Sequence, residues 1–188
     1  MVLSVDEKTQ IQALDRTQRG LPLNSSRIGC RTHDYKRNGT AALYAAFNTL
    51  TGKVIGKVTD KTNGKEFLSF LKLLNRRFSA GKDLHIILDN LSAHNTPAVR
   101  EWLEANPRIH LHFTPTSSSW LNAVEGWSAQ LERRALYHGL FTSVPELKAE
   151  LRRLIKVHNK NDAKPFKWTK PAGNIIAAVG RAKNALQN

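Results

Sequence analysis

The first third of the chain carries three short apolar runs that predict β-strands. They occupy residues 2–5, 41–48 and 54–58. Gly52 lies between the last two runs, where a glycine supplies the positive φ of a hairpin turn. The pattern therefore predicts a three-stranded antiparallel meander. Residues 17–39, rich in Arg, Ser, Asn and Gly, are too polar for a core and predict a long excursion between strands.

Two further strands and five helices are predicted in the rest of the chain. Residues 84–88 are apolar nearly throughout, as in a central strand covered on both faces, and residues 109–113 alternate apolar side chains with histidines, as in a half-buried strand. The helices are indicated by apolar spacings of three and four residues and by capping residues such as Asn63, Thr96 and Ser143. They cover approximately residues 63–78, 96–103, 120–138, 143–155 and 171–186.

The alternation of strands and helices in the middle of the chain indicates an α/β fold. Crossover connections through helices place successive strands parallel to one another. Residues 2–5 run directly into Asp6, and residues 84–88 end at Asp89. If these two strands are neighbours, both aspartates lie at the same carboxyl edge of the sheet, where open α/β sheets hold ligands. Two such carboxylates repel each other unless they share a proton or bind a divalent cation.

Glu125 is the candidate for a third carboxylate at this edge. It follows Asp89 after 35 intervening residues and lies early in the helix predicted at residues 120–138. Taken singly, an aspartate at a strand end is ordinary turn chemistry, and a helix glutamate usually faces solvent. Taken together, three carboxylates favour Mg²⁺, which binds carboxylates together with phosphate oxygens.

The charge of the chain points to a polyanionic partner. The 188 residues suit one domain, and 29 Lys and Arg against 15 Asp and Glu give a net charge of +14. Basic groups placed on phosphates release condensed counterions, so this surplus favours nucleic acid without naming an activity. Residues 126–188 hold 12 of the basic residues and only 4 of the acidic ones. The C-terminal third is therefore the predicted phosphate-binding part.

Other features of the sequence exclude several classes of protein. The single cysteine, Cys30, allows no intramolecular disulfide and no multi-cysteine zinc site, which fits a reducing compartment. Apolar stretches are far shorter than the 18 or more residues that a membrane span needs. The first ten residues, MVLSVDEKTQ, predict no export signal.

The remaining chemistry-bearing side chains also have plain structural interpretations. The histidines match no two-pair zinc spacing, and those of residues 109–113 are interpreted as the wetter face of their strand. Trp102 and Trp127 fall where helices need large apolar groups, whereas Trp120 and Trp168 could also stack on an unpaired base. For the basic residues of the late helices, a solvated surface and phosphate contact both stay open. They are Arg133, Arg134, Arg152, Arg153 and Lys156.

Several uncommon motifs recur in a known order along nearly the whole chain. They are VLSVDEKTQIQALDR, DYKRNGT, IILDNLSAHNTPAVREWL, HFTPTSSSWLNAVEGW and HNKNDAKPFKWT. In these motifs the chain resembles the catalytic domain of DDE-type transposases, specifically the bacterial insertion-sequence branch related to mariner elements. The resemblance implies a ribonuclease-H-like fold, with a mixed five-stranded sheet flanked by helices.

The resemblance also implies a catalytic role for the three carboxylates. Asp6, Asp89 and Glu125 match the metal-holding triad, with Mg²⁺, or Mn²⁺ as a substitute, as two ions in the site. Water and then a DNA 3′-hydroxyl are the implied nucleophiles of strand cleavage and strand transfer, and no covalent protein–DNA intermediate forms. The implied setting is a cytoplasmic, DNA-associated protein that binds element ends and target DNA as a homodimer or larger assembly.

Residues near the second and third carboxylates have implied supporting roles. Asn90 and His94 in DNLSAH, and Trp120 and Asn122 in SSSWLN, match the motifs that surround these carboxylates. Such residues orient carboxylates or contact a strand end. We expect a catalytic domain over residues 1–160, a C-terminal helical extension of the same domain over residues 161–188, and no N-terminal helix-turn-helix module.

Two departures from the family pattern define an alternative. Gly126 stands where a basic residue is common, and Ser128 where a bulky apolar residue is common. These changes, with the absent module, suggest a catalytically impaired or truncated remnant that binds DNA non-specifically or pairs with an intact transposase. A third interpretation is another ribonuclease-H-like nuclease that acts on RNA–DNA hybrids or junctions.

Overall fold

The computed structural model describes residues 1–16, 35–115, 118–136 and 139–185, and within them a five-stranded sheet forms the centre of the fold. The strand order is β3-β2-β1-β4-β5. The strands are β1 (Val2–Arg16), β2 (Tyr35–Asn48), β3 (Val54–Thr59), β4 (Leu84–Leu88) and β5 (Ile109–Phe113).

The described part of the chain contains five α-helices. They are α1 (Gly64–Arg77), α2 (Pro97–Glu104), α3 (Val124–Leu131), α4 (Val144–Val157) and α5 (Ala172–Ala185). Of these helices, α1 and α2 connect strands, and α5 is largely exposed. No described helix is long and apolar enough to cross a membrane. The α/β class and the mixed five-stranded sheet predicted from the sequence are confirmed.

The strand pairing follows the predicted meander and crossovers. β1 pairs antiparallel with β2, and β2 pairs antiparallel with β3, whereas β4 pairs parallel with both β1 and β5. Gly52 has a φ of 71° in the β2–β3 turn, as the sequence predicted. The crossovers through α1 and α2 therefore place β4 and β5 parallel to β1.

Two strands are much longer than the apolar runs that predicted them. β1 continues to Arg16 and β2 begins at Tyr35, so the expected end of β1 at residue 5 is wrong. Past residue 5 the strand is mostly polar, with Ile11 and Ala13 buried in the core, and β1 and β2 go on pairing with register shifts between Lys8 and Ile11 and between Gln12 and Leu14. The predicted excursion overlaps β2 at residues 35–39, and its residues 17–34 lie outside the described part.

The sheet is covered on both faces by separate apolar clusters. On one face, Leu3 and Val5 pack with α1, whose Phe67 and Phe70 are fully buried. On the other face, the inward side chains of β2 pack against α3 and α4, including the buried Trp127. Apolar side chains of the strands are thus buried on both faces of the sheet. Their short runs therefore do not alternate strictly between apolar and polar residues.

Asn63 and Ser143 cap their helices through their side chains as predicted, whereas Thr96 lies at the N-cap of α2 without a side-chain cap bond. The Asn63 side chain accepts a hydrogen bond of 2.9 Å from the main-chain N–H of Glu66. The reciprocal half of a capping box is not formed, because Glu66 binds Lys57 at 2.7 Å and the Asn63 N–H donates to the Tyr44 hydroxyl. Ser143 likewise accepts from the N–H of Glu146 at the start of α4.

The helix predicted over residues 120–138 is divided in the structure. A 3₁₀ turn covers Ser119–Leu121, α3 itself spans Val124–Leu131, and a π-helical turn follows over Glu132–Leu136. The interruption falls at Asn122, whose side chain bonds to β1 instead of facing solvent. Residues 137 and 138 lie outside the described residues.

The segment after α4 fastens the β2–β3 hairpin. Asn159 accepts from the Val54 N–H and donates to the Val54 carbonyl, both at 2.7 Å, so its amide pairs with the edge strand. His158 Nε2 lies 2.9 Å from the Gly52 carbonyl, and the Phe166 N–H donates to the Thr49 carbonyl at 2.8 Å. The HNKND motif therefore has a structural role in this fold.

Candidate active site

Asp6 and Asp89 leave neighbouring parallel strands at the same level. The last described pair of the β1–β4 ladder joins Ser4 to Ile87. Two residues further along each strand, the same register reaches Asp6 and Asp89. β4 ends at Leu88, just before Asp89, whereas Asp6 lies inside β1 and is still paired with Ala45 of β2.

Asp6 lies in a crowded, half-buried position that disfavours its charged form. Burial is the main cause that raises the pKa of its carboxyl to about 7, and the charges of Glu125, Glu7 and Asp89 raise it further. A hydrogen bond from the Glu7 main chain acts in the opposite direction. The structure therefore brings Asp6 within electrostatic reach of both other predicted carboxylates, with no cation to balance them among the causes of the shift.

Glu125 is held in the first turn of α3 by contacts around Asn122. The Glu125 N–H donates to the Asn122 carbonyl at 3.1 Å. The Asn122 side chain is buried and donates from Nδ2 to the Val5 carbonyl at 2.7 Å, which ties the start of α3 to the strand that carries Asp6. Asn122 Oδ1 is buried without a hydrogen-bond partner among the described residues.

His94 links the loop after β4 to β1. Its Nδ1 lies 3.0 Å from the Asp89 main-chain oxygen and 3.3 Å from Asp89 Oδ1, and its Nε2 lies 2.6 Å from Glu7 Oε1. The His94 and Glu7 side chains are 0% and 4% exposed. Burial, the largest effect, lowers the pKa of His94, but the Glu7 contact and the Asp89 oxygens outweigh it and raise the pKa overall.

A divalent cation fits the donor chemistry of this region. Asp6, Asp89 and Glu125 offer carboxylate oxygens, the ligands that Mg²⁺ prefers. Burial is the main cause of the raised pKa of Asp6, and the nearby carboxylates that add to it are charges that a cation would balance. In the described residues, one group of three side chains brings possible ligand atoms within 4.8 Å of one another, namely Glu7, Asp89 and His94. Of the predicted triad, this group contains Asp89 and not Asp6 or Glu125.

Sequence reasoning did not select Glu7 as a functional residue. The signal was present in the alternation of β1, because Glu7 shares a sheet face with Leu3 and Val5, which are both fully buried. A carboxylate at an inward-facing strand position needs a partner, since isolated buried charges are costly. The partner, His94, is 87 residues away in sequence and could not be read from spacing.

The other predicted site residues lie at the surface. Asn90 is exposed, and the Trp120 side chain is 56% exposed beside the start of α3. Arg133 and Arg134 follow α3 in the π-helical turn and are exposed, with Arg134 paired to Asp162 at 3.2 Å. Their predicted DNA contacts therefore stay predictions.

The histidines of β4 and β5 form a separate group on their strands. His110 and His112 are exposed, as the sequence interpretation expected. His85 Nδ1 lies 3.0 Å from His112 Nε2, and the His85 ring stacks on His110 with centroids 4.9 Å apart. Neutral imidazoles make such contacts without a metal ion.

A cavity of about 360 Å³ lies beside α3, between that helix and the segment after α4. Gly126 and Trp127 line one side, and Arg134, Lys164 and Phe166 line others. A Cβ built on Gly126 meets no atom within 4 Å, so this glycine is not required by packing. It leaves open space next to Glu125 on the helix.

The sheet order and the flanking helices define a ribonuclease-H-like fold, and the acidic residues Asp6 and Asp89 lie at its β1–β4 edge. The family profile of the DDE superfamily endonucleases matches residues 1–148, so the chain belongs to this family. An insertion element IS630 protein of 39 kDa from Shigella sonnei is 32% identical over 88 residues, which are 46% of this chain and 26% of that protein.

Solved structures of a mariner transposase share the fold. The Mos1 strand transfer complex matches with a TM-score of 0.61 at 18% identity, over 82% of this chain and 47% of that chain. The Mos1 mariner paired-end complex with Mn matches with a TM-score of 0.60 at 19% identity, over 83% and 48%. The isolated Mos1 catalytic domain matches with a TM-score of 0.57 at 17% identity, over 82% and 69%.

The present chain thus spans about half of the Mos1 chains in those complexes and about a quarter of the IS630 protein. The predicted resemblance to DDE-type transposases is confirmed by the family profile, and the predicted fold by the Mos1 structures.

Proposed function

We propose that this chain is the catalytic core of a transposase that cleaves and joins DNA strands with divalent metal ions. The observation that carries the proposal is the β1–β4 register, which brings Asp6 and Asp89 to the same level of neighbouring parallel strands, with Glu125 among the charges that raise the pKa of Asp6. Membership of the DDE superfamily endonucleases supports the same reaction class.

Asp6, Asp89 and Glu125 are the residues that would hold the ions. Mg²⁺ or Mn²⁺, as a pair, supplies charge stabilisation for the attacking and leaving oxygens of an in-line phosphoryl displacement. Asp6 would bind an ion in its deprotonated form, so the ion competes with the proton that the raised pKa of Asp6 favours. Structures of Mos1 with Mn and with Mg support the choice of metal.

The protein's own residues position these ligands and bind the DNA backbone. Asn122 fixes the start of α3 against β1, and His94 contacts Asp89. Exposed basic residues after Glu125, including Arg133, are proposed to contact phosphates, because the C-terminal third holds most of the positive surplus. Binding then weakens steeply as the salt concentration rises.

Element ends and target DNA are the proposed partners, bound by a homodimer or larger assembly. The support is that the Mos1 structures with this fold are a paired-end complex and a strand transfer complex. Light scattering of the protein with and without DNA tests the assembly, and a single copy per DNA molecule would contradict it.

Mg²⁺- or Mn²⁺-dependent nicking of supercoiled DNA by the purified chain tests the activity. Asp89→Ala is expected to abolish nicking, whereas Asp83→Ala, an exposed aspartate at the opposite end of β4, is expected to leave it unchanged. Equal nicking by the wild type and Asp89→Ala would overturn the catalytic assignment. Competition among duplex DNA, junctions and RNA–DNA hybrids separates transposition chemistry from other nuclease activities.

A second candidate function is a remnant that binds DNA without cleaving it, and Gly126 supports this alternative. The glycine leaves open space beside Glu125, where the family commonly has a basic side chain. A variant with Gly126→Arg and Ser128→Phe tests this function. If only that variant nicks DNA, the remnant interpretation holds, and if the wild type nicks equally well, it fails.

A further inference from the structure

Two adjacent acids of β1 point to opposite faces of the sheet. Asp6 is coupled to Glu125 of α3, and Lys8, on the same strand face, binds Glu132 just after α3 at 2.8 Å. Glu7 instead points to the α1 face, where it meets His94. The proposed catalytic triad does not use Glu7, although it is one of the most deeply buried charged side chains described.

His94 has both ring nitrogens occupied by these contacts. Nε2 faces Glu7 Oε1 at 2.6 Å, and Nδ1 faces the main-chain oxygen of Asp89 at 3.0 Å. Because a main-chain carbonyl can only accept, Nδ1 carries the proton and donates it toward Asp89. The ring itself packs against Phe67 with centroids 4.3 Å apart, so its orientation is fixed from three sides.

Asp89 lacks comparable support from packing. It follows the last residue of β4, and its side chain is 52% exposed. His94 Nδ1 contacts the main-chain oxygen of Asp89 and, at 3.3 Å, Asp89 Oδ1. These two contacts are therefore the described restraints on the Asp89 carboxylate. Since Glu7 lies on β1 beside Asp6, the chain Glu7–His94–Asp89 connects the two strands that supply the first two acids of the site.

We propose that Glu7 and His94 form a buried clamp that positions Asp89 for divalent metal binding. The clamp rests on the proposed function, because it serves the ion held by Asp6, Asp89 and Glu125. His94 and Glu7 act as positioning residues and not as ligands, since each is buried and occupied by the other. Residues in such supporting contacts typically change metal affinity by 10- to 100-fold when they are removed.

The affinity of the DNA-free full chain for Mn²⁺, measured by electron paramagnetic resonance, tests the clamp. Glu7→Leu and His94→Phe are each expected to weaken Mn²⁺ binding by about tenfold or more. Glu7→Gln is expected to retain most of the affinity, because a glutamine amide N–H can donate to Nε2 while Nδ1 still donates to Asp89. Circular dichroism confirms that each variant is folded.

The matched control is Glu66→Leu, which removes a carboxylate from another partly buried ion pair, with Lys57 at 2.7 Å. It is expected to leave Mn²⁺ affinity unchanged. Asp89→Asn serves as the reference for loss of a ligand. If Asp89→Asn loses affinity and folded Glu7→Leu does not, the clamp alone is overturned. If Asp89→Asn binds Mn²⁺ as tightly as the wild type, the proposed metal site fails as well.

A measurement on the wild type keeps the clamp testable even if Glu7→Leu does not fold. Electron spin echo modulation of bound Mn²⁺ detects ¹⁴N coupling when a histidine is a ligand. The clamp predicts no such coupling from His94. Coupling that disappears in His94→Phe would show that His94 binds the ion directly, and the positioning role would then be wrong.

Discussion

Asn122 joins the helix of the third carboxylate to the strand of the first. Its Nδ2 donates to the Val5 carbonyl at 2.7 Å, one residue before Asp6, and its own carbonyl accepts from the Glu125 N–H at 3.1 Å. This buried amide thus helps to set the relative placement of Asp6 and Glu125, together with the packing of α3 on the sheet. In the sequence, only the resemblance to the family suggested a role for Asn122, and that role was a supporting one.

Asn122→Ala is expected to lower the free energy of unfolding by about 1–2 kcal/mol, because it leaves the buried Val5 carbonyl without its donor. We expect a loss of stability at the lower end of this range, because the variant also removes the buried Oδ1, which has no partner among the described residues. Urea denaturation measures the change. The exposed Asn90→Ala provides the control, with an expected change below about 0.5 kcal/mol. Equal stability of the two variants would contradict the structural role of Asn122.

Gly52→Ala is expected to destabilise the fold by about 2 kcal/mol or more. Gly52 has a φ of 71°, and a Cβ at this position would overlap the main chain of Lys164. The substitution therefore strains the turn and also displaces the segment that packs on the β2–β3 hairpin. Thermal unfolding measures the loss. Gly81→Ala is the control, because nothing lies within 4 Å of its Cβ, and it is expected to change stability little.

The sequence predicted the fold well wherever the deciding contacts are local. The turn at Gly52, the cap at Asn63 and the strand over residues 84–88 all follow from residues close in the chain. The placement of Asp6 beside Asp89 also followed, because β1 and β4 were expected to be parallel neighbours.

Features that depend on distant partners could not be predicted. The continuation of β1 past Asp6 is mostly polar, and its pairing with β2 and the burial of Ile11 and Ala13 make it a strand. The Glu7–His94 contact spans 87 residues, and the break before α3 arises because Asn122 bonds to β1. Glu7 and Asn122 are polar residues in the sequence, and only the tertiary structure shows which partners they contact.

Gly126→Ala is expected to raise the free energy of unfolding by about 1 kcal/mol, since glycine is the poorer helix former. A methyl group at this site meets nothing within 4 Å, so no clash opposes the gain. Nicking activity is expected to stay unchanged, because the added group does not reach other described atoms. Chemical denaturation measures the stability. A loss of stability would contradict the expectation that the space around Gly126 accepts a methyl group.

The stability of the metal-free protein is expected to fall as the pH rises from about 4 to above 7, in part because of Asp6. The folded pKa of Asp6, about 7, lies above its model-peptide value of 3.8, so the protonated form is favoured by folding. That contribution is complete below pH 3.8 and is lost as the pH rises through 7. Urea denaturation at pH 5 and pH 8 measures the difference in the free energy of unfolding between the two pH values. Asp6→Asn is expected to remove a part of this difference on the order of 2–3 kcal/mol.

Mg²⁺ is expected to reverse this loss in the wild type and not in Asp6→Asn. A cation binds the deprotonated carboxylate, so added Mg²⁺ stabilises the protein more at pH 8 than at pH 5. Asp83→Asn, an exposed aspartate outside the site, is expected to behave as the wild type does. If Mg²⁺ stabilises Asp6→Asn and the wild type equally at pH 8, Asp6 is not a ligand, because its carboxylate then contributes nothing to the binding of the ion.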